Sequence, residues 1–495
     1  MRFAVAALSC FIATLGFAAA DDSPGALQAL LARVSAATGP AFDTHLRGSA
    51  VAGPDRTVIE SQGPRSLVRR CQRQFCSGVY LDGETVWQFD LNDTAVPYES
   101  EDPRRVTVRA IESAAFAAPG FASAGGRLSA KASLQLADGR TVQRVAVTAP
   151  QGATLDALID PRSALVQGVR GQDVEIDYAD FRKVGDLMLP YEVTSGTSVL
   201  RFDERSVETA PLSAPRGLVP AIAGGRSVVP FVDTDRPAVD PIVECSLGGE
   251  RVPCLFDTGN SGVSISLELA ERLHLEPLPG SMQIRGLGAY ETGLVKGPEL
   301  HVGDAIYPPA YYAVLHDMHA YGYDLVLGAD VFAHALVTID YAARKLTLEP
   351  EAKAAQTGGL AIAFEDFLPV AKVKLGSLEV RLAIDTGDES SFNIAQDLYA
   401  RHPEIFAAQS SARVAGIGGT GEELQGTIPR AEFGGYTLLN QQIGATNRVL
   451  PAAQGHLGSG ALAHFSVTFD YAHRRVGLVP RRGDAAVVSS SPGQP

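Results

Sequence analysis

The second half of this chain is written twice, and that repeat constrains the fold more than any other feature. Residues 327–350 align with residues 457–480 at an offset of 130 without a gap. Of these 24 positions 12 are identical, too many for a chance alignment. Both copies read Leu-Gly, then an Ala-His pair, then Val-Thr-x-Asp-Tyr-Ala (337–342 and 467–472). Upstream, Asp-Thr-Gly stands at 257–259 and again at 385–387, each time after an apolar run: Cys254-Leu255-Phe256 and Leu382-Ala383-Ile384. A helix-like stretch follows each, at 267–273 and 395–401. Then comes a glycine-bearing segment of strands, Ile284-Arg285-Gly286-Leu287-Gly288 in one copy and 414–419 in the other. Each copy is short on helix and must be built from non-local strand pairs.

One Asp-Thr-Gly is an ordinary strand-ending turn. Two at equivalent places of a repeat differ, because a two-fold arrangement can bring them together at its axis. Carboxylates about 3 Å apart cannot both ionise, so they share one proton and titrate as a pair. The charged member can take a proton from a water held between them, and the protonated member can donate to a carbonyl oxygen. That is general acid–base hydrolysis without metal or covalent intermediate. The candidate dyad is Asp257 with Asp385. Thr258 and Thr386 can bond across to the opposite copy, and Gly259 and Gly387 let the backbone turn and approach the carboxylates.

These segments resemble the retropepsin-like and pepsin-like aspartic peptidases over residues 228–480, about half of the chain. The resemblance implies that each copy is one lobe of an acid-protease β-barrel and that a single chain, a monomer, supplies the whole dyad. It implies that the dyad cleaves peptide bonds of an extended peptide or protein substrate beneath glycine-bearing flaps, for which Gly286, Gly288, Gly416 and Gly418 are the candidates. It implies no cofactor and no metal. The sequence departs from that family at Asn260 and Asp388, where Ala or Ser usually follows the glycine, and at His456, where an apolar residue is expected. Asp388 and Glu389 are expected to add negative charge beside the dyad, and the second lobe to be partly degenerate.

The N-terminus reads as a secretory signal: Met1-Arg2, an apolar run to about Phe17, and Ala18-Ala19-Ala20, with cleavage after Ala20. A periplasmic or secreted location follows, and the cysteines suit it. Cys71 with Cys76, and Cys245 with Cys254 across a hairpin turning at Gly248-Gly249, read as two local disulfides. Neither pair has the spacing of a zinc site. The net charge of −14, with scattered basic residues, argues against nucleic acid and anionic membrane surfaces as partners. No later run is long and apolar enough to span a bilayer.

Residues 21–210 form a first block that opens with an amphipathic helix over 24–37 and continues as alternating strand-like runs. Its segments 80–90 and 178–190 faintly resemble the lipoprotein carriers of bacterial envelopes. That resemblance implies an antiparallel half-barrel, with an apolar concavity as one option. Residues 211–227 read as a linker, 228–350 as the first lobe, 351–360 as a second linker, 361–480 as the second lobe, and 481–495 as a disordered tail. The expected fold is therefore mainly β: a two-lobed acid-protease barrel behind a half-barrel domain. The expected function is an exported aspartic endopeptidase. The rival is a catalytically degenerate peptidase fold that binds a peptide or lipid-like ligand, and a third option pairs each lobe with another chain. His334, His464, Asp340 and Asp470 repeat with the copies and suit cap or turn roles. Trp87 is expected in the core.

Overall fold

Alternating apolar residues separated by glycine turns give strands, and the protein is mainly β. The computed structural model describes residues 24–38, 44–62, 65–82, 85–98, 127–136, 139–148, 154–171, 174–233, 239–316, 318–351, 359–447 and 453–489. The expected signal segment lies outside these residues, as does most of the linker at 351–360. Among the described residues no helix is long and apolar enough to cross a membrane.

The chain divides into two units, Met1–Asp90 with Pro97–Pro215, and Leu91–Val96 with Arg216–Pro495. The first contains the helix Pro24–Thr38 and two antiparallel sheets. One runs through Glu204–Glu208, His45–Ala52, Asp55–Gln62, Arg65–Gln72, Phe75–Leu81 and Val86–Phe89. The other runs from Ser198–Arg201 back through Leu187–Ser195 to Arg127–Gln135. Leu30 and Val34 of the helix share a core with Ile59 and Val68 of one sheet and Val145 and Ile176 of the other. Val86 and Phe89 are buried, whereas Trp87, expected in the core, is half-buried. Cys71 and Cys76 stand directly opposite across a hairpin, Cα atoms 3.9 Å apart, and form a disulfide.

Residues 91–96 fall in the N-terminal block by sequence, yet they belong to the second unit. Asn92 accounts for this. Its Nδ2 donates to the Tyr311 carbonyl (3.0 Å) and to the buried Asp330 carboxylate (2.7 Å), and its Oδ1 accepts from the Tyr311 N–H (2.8 Å).

In the second unit, the hairpin Ile242–Leu247 and Glu250–Phe256 turns through Gly248 and Gly249, both at positive φ (60° and 87°). Leu247 stands opposite Glu250, so the turn has two residues. It sets Cys245 and Cys254 on one face, Cα atoms 6.0 Å apart and disulfide-bonded. The second copy builds the same hairpin from Leu368–Leu375 and Leu378–Asp385.

The pairing between the copies shows their symmetry. Ala335–Asp340 lies antiparallel to Phe465–Asp470, with Val337 opposite Phe469, Thr338 opposite Thr468 and Ile339 opposite Val467. Each residue therefore faces the equivalent of its neighbour across the centre, which only a local two-fold axis through the Thr338–Thr468 pair produces. The two hydroxyls meet there at 2.9 Å. One apolar core spans both copies around that axis. Phe332 packs edge-on against Phe256 and Phe469, with ring centroids 5.9 and 5.3 Å away.

Two expected boundaries change. In the linker read at 211–227, Ala221–Ile222 pairs with Ala305 and Ile306, and Ser227 already opens the strand Ser227–Pro230, which pairs with residues 345–348. The tail read as disordered from 481 includes the strand Val487–Ser489, antiparallel to residues 436–438, where it covers an otherwise open sheet edge.

Candidate active site

The repeated Leu-Gly explains how the two aspartates are held. Leu325–Leu327 runs parallel to Glu250–Phe256 on one side and antiparallel to Val263–Ser266 on the other. Gly455–Gly458 is placed the same way between Leu378–Asp385 and Phe392–Ala395. A Cβ at Gly328 would lie under 3.0 Å from the carbonyl oxygens of Asn260 and Gly262, and one at Gly458 would clash likewise with those of Asp388 and Ser390. Those glycines let the Leu-Gly strand pass against the Asp-Thr-Gly loop. The loop carbonyls then accept from the next residues, Ala329 N–H at 3.0 Å and Ser459 N–H at 2.7 Å.

The two loops interlock. Thr258 Oγ1 donates to the Ile384 carbonyl at 2.7 Å and accepts from the Thr386 N–H at 3.1 Å. Thr386 Oγ1 donates to the Phe256 carbonyl at 2.7 Å and accepts from the Thr258 N–H at 3.0 Å. Both threonines are buried. The grip the sequence allowed is closed within one chain.

Between the threonines the carboxyl groups face each other. Asp257 Oδ1 accepts from the Gly259 N–H at 2.7 Å, and Asp385 Oδ1 from the Gly387 N–H at 3.0 Å. Each carboxyl lies against the glycine of the opposite loop, so the two aspartates flank one junction. Burial first, and then the Asp385 charge, hold the Asp257 carboxyl well above the usual carboxylate range, against the lowering effect of the Gly259 N–H. Each glycine faces the carboxyl of the opposite copy: a Cβ at either Gly259 or Gly387 would lie under 3.0 Å from it. Gly259→Ala is therefore expected to displace the Asp385 carboxyl and cut kcat by about 100-fold or more, with the circular-dichroism spectrum of the fold retained.

The glycine-bearing hairpins meet at their tips. They are Pro277–Arg285 with Ala289–Lys296, and Ala408–Gly416 with Gly419–Phe433. Leu287 N–H donates to the Ile417 carbonyl at 2.9 Å. Side chains at Gly286 and Gly288 would strike the Ile417 and Gly418 carbonyls, and Gly418 sits at φ 84°. Gly416 meets only the Leu287 side chain. Ile284, Tyr290 and Ile417 pack on a buried apolar cluster of the first lobe that includes Leu255 and Val326.

At the matching position of the second lobe the surroundings are polar. His456 stands where Val326 stands, and its Nδ1 lies 3.1 Å from Asp385 Oδ2 and 3.0 Å from Asp388 Oδ2. His456 and Asp388 are both buried, whereas Glu389 is exposed. Sequence reading took Asp388 as added negative charge and His456 as a flaw, and it missed that each answers the other. The signal was present: both departures fall in the same copy. Asp385, Asp388 and His456 bring one ligand-type atom each within 4.8 Å of one another, and His456 Nδ1 lies within hydrogen-bond reach of both carboxyl groups.

The other repeated residues do not join this site. His464 bonds Asp484 (2.7 Å) and Gln441 (3.3 Å), and His334 packs against Gly217, where burial lowers its pKa. Asp340 and Asp470 each accept a backbone N–H within their own turns, from Ala343 and His473.

No match to a curated protein was found for this chain. Residues 243–331 match the family described as aspartyl protease, a stretch that holds the first Asp-Thr-Gly, its glycine-bearing hairpin and its Leu-Gly, so the chain carries an aspartic-protease-like region.

Proposed function

We propose that this protein is an exported aspartic endopeptidase that hydrolyses peptide bonds with a water activated between Asp257 and Asp385. The observation that carries this reading is the pair of interlocked Asp-Thr-Gly loops, which sets each aspartate carboxyl against the glycine of the opposite loop. A dyad with one proton has an ionised carboxylate to take a proton from water and a carboxylic acid to give one to the carbonyl oxygen. The water oxygen bonds to the carbonyl carbon, giving a tetrahedral diol. The C–N bond then breaks as the nitrogen takes a proton, and the dyad returns to one proton. The paired flap tips supply a roof under which an extended peptide can be held away from bulk water.

The pH dependence follows from the raised Asp257 pKa. The proton on Asp257 persists well above the ordinary aspartate range and is lost as pH rises through the raised value, so activity falls on that limb. It also falls in strong acid, where both carboxyls are protonated. A bell-shaped profile of kcat/KM between pH 3 and 8 on an unstructured protein, abolished by a statine-type inhibitor, is the expected result. Absence of cleavage across that range, with the inhibitor still bound, would favour the binding-protein reading.

A further inference from the structure

We propose that Asp388 and His456 are a charge-compensated positioning pair that fixes the roles within the dyad, making Asp385 the ionised base and Asp257 the proton-bearing acid. This inference deepens the peptidase reading and rests on it. Both neighbours of His456 Nδ1 are carboxylate oxygens, at 3.0 and 3.1 Å, so that nitrogen carries the proton and donates. A hydrogen bond to the charged form of a carboxylate favours that form. Among the described residues no histidine makes such a contact to Asp257. Its side of the dyad has Val326 in place of His456 and Asn260 in place of Asp388, and Asn260 Nδ2 turns away to the Gly262 carbonyl (3.1 Å). The repeat thus holds its own control: one copy has Val326 and Asn260 at the two positions where the other has His456 and Asp388.

The charges balance. Asp388 alone would place a second anion beside Asp385, and a protonated His456 alone would pull both dyad protons off early. His456 is therefore taken as protonated at both ring nitrogens, so that the pair leaves the site with the single negative charge that a one-proton dyad requires. The remaining charged groups on the elements around His456 are engaged elsewhere. Arg381 pairs with Glu365, and the buried Glu423 accepts from Asn393 and Gln425. Glu389 is exposed.

The test is the pH profile of kcat/KM for full-length His456→Val, Asp388→Asn and the double variant, which copies the first lobe. His456→Val leaves Asp388 uncompensated and is expected to move the profile to higher pH by about one unit or more, while Asp388→Asn moves it lower. The double variant is expected to return towards the wild-type position. Equal shifts in one direction, or no shift with only a uniform loss of rate, would overturn the proposal. A second readout does not need activity: the His456 ring-nitrogen NMR titration is expected to shift in Asp385→Asn relative to wild type. If wild type cleaves nothing but this titration shifts, the peptidase reading fails and the pairing stands. If the titration does not move, the pairing fails.

Discussion

Asn at either position of the dyad is expected to remove proteolysis: Asp257→Asn and Asp385→Asn should each lower kcat/KM by about 10³-fold or more, since each deletes one partner of a shared-proton pair. The loss should come without unfolding. The Asp257 carboxyl carries a desolvation cost and a repulsion from Asp385, which is why its pKa is raised, and asparagine escapes both. The sign of the stability effect follows. A carboxyl whose folded pKa lies above its unfolded value contributes its stability fully below the unfolded pKa and loses it as pH rises through the folded one. Asp257→Asn should therefore match wild type in acid and become the more stable protein as pH rises. Denaturant titrations at several pH values read this directly. A variant that is inactive because it is unfolded would show the opposite.

Thr258→Ala is expected to give the largest loss of stability among substitutions at the site. It removes the donor to the Ile384 carbonyl and the acceptor of the Thr386 N–H, both in the buried junction. Each buried group left without a partner costs about 1–3 kcal/mol, so a loss of about 2–6 kcal/mol is expected. Thr386→Ala should cost a similar amount, because its contacts mirror those of Thr258. The two losses should not add, since the residues share one network. Thr258→Ser keeps the hydroxyl and should restore most of the stability and the rate. If both alanine variants unfold like wild type, the interlock contributes nothing to holding the copies together.

Much of this site was legible in the sequence because its local parts are covalently near one another. An apolar strand ending in Asp-Thr-Gly fixes its own turn, and Gly248-Gly249 fixes its hairpin. The repeat turned one such pattern into a pair. The contacts of His456 on the dyad were not legible. Asp388 and His456 are 68 residues apart and meet because Gly455–Gly458 runs parallel to Leu378–Asp385, a register no local pattern states. The insertion of residues 91–96 into the second unit was equally hidden. Asn92 meets the Tyr311 backbone 219 residues away, and Val96 is buried in the core of the second unit. The strand at 487–489 was missed because a Ser- and Gly-rich end reads as unstructured, whereas an open sheet edge recruits whatever extended backbone lies beside it.

The central claim is that two copies within one chain set Asp257 and Asp385 around a single oxygen. A crystal structure of the full chain with a statine-type inhibitor tests it most directly. The account predicts the inhibitor hydroxyl within about 3 Å of carboxyl oxygens from both Asp257 and Asp385 of the same molecule. A hydroxyl that touches only one of them, or a second aspartate supplied by another molecule, would contradict it.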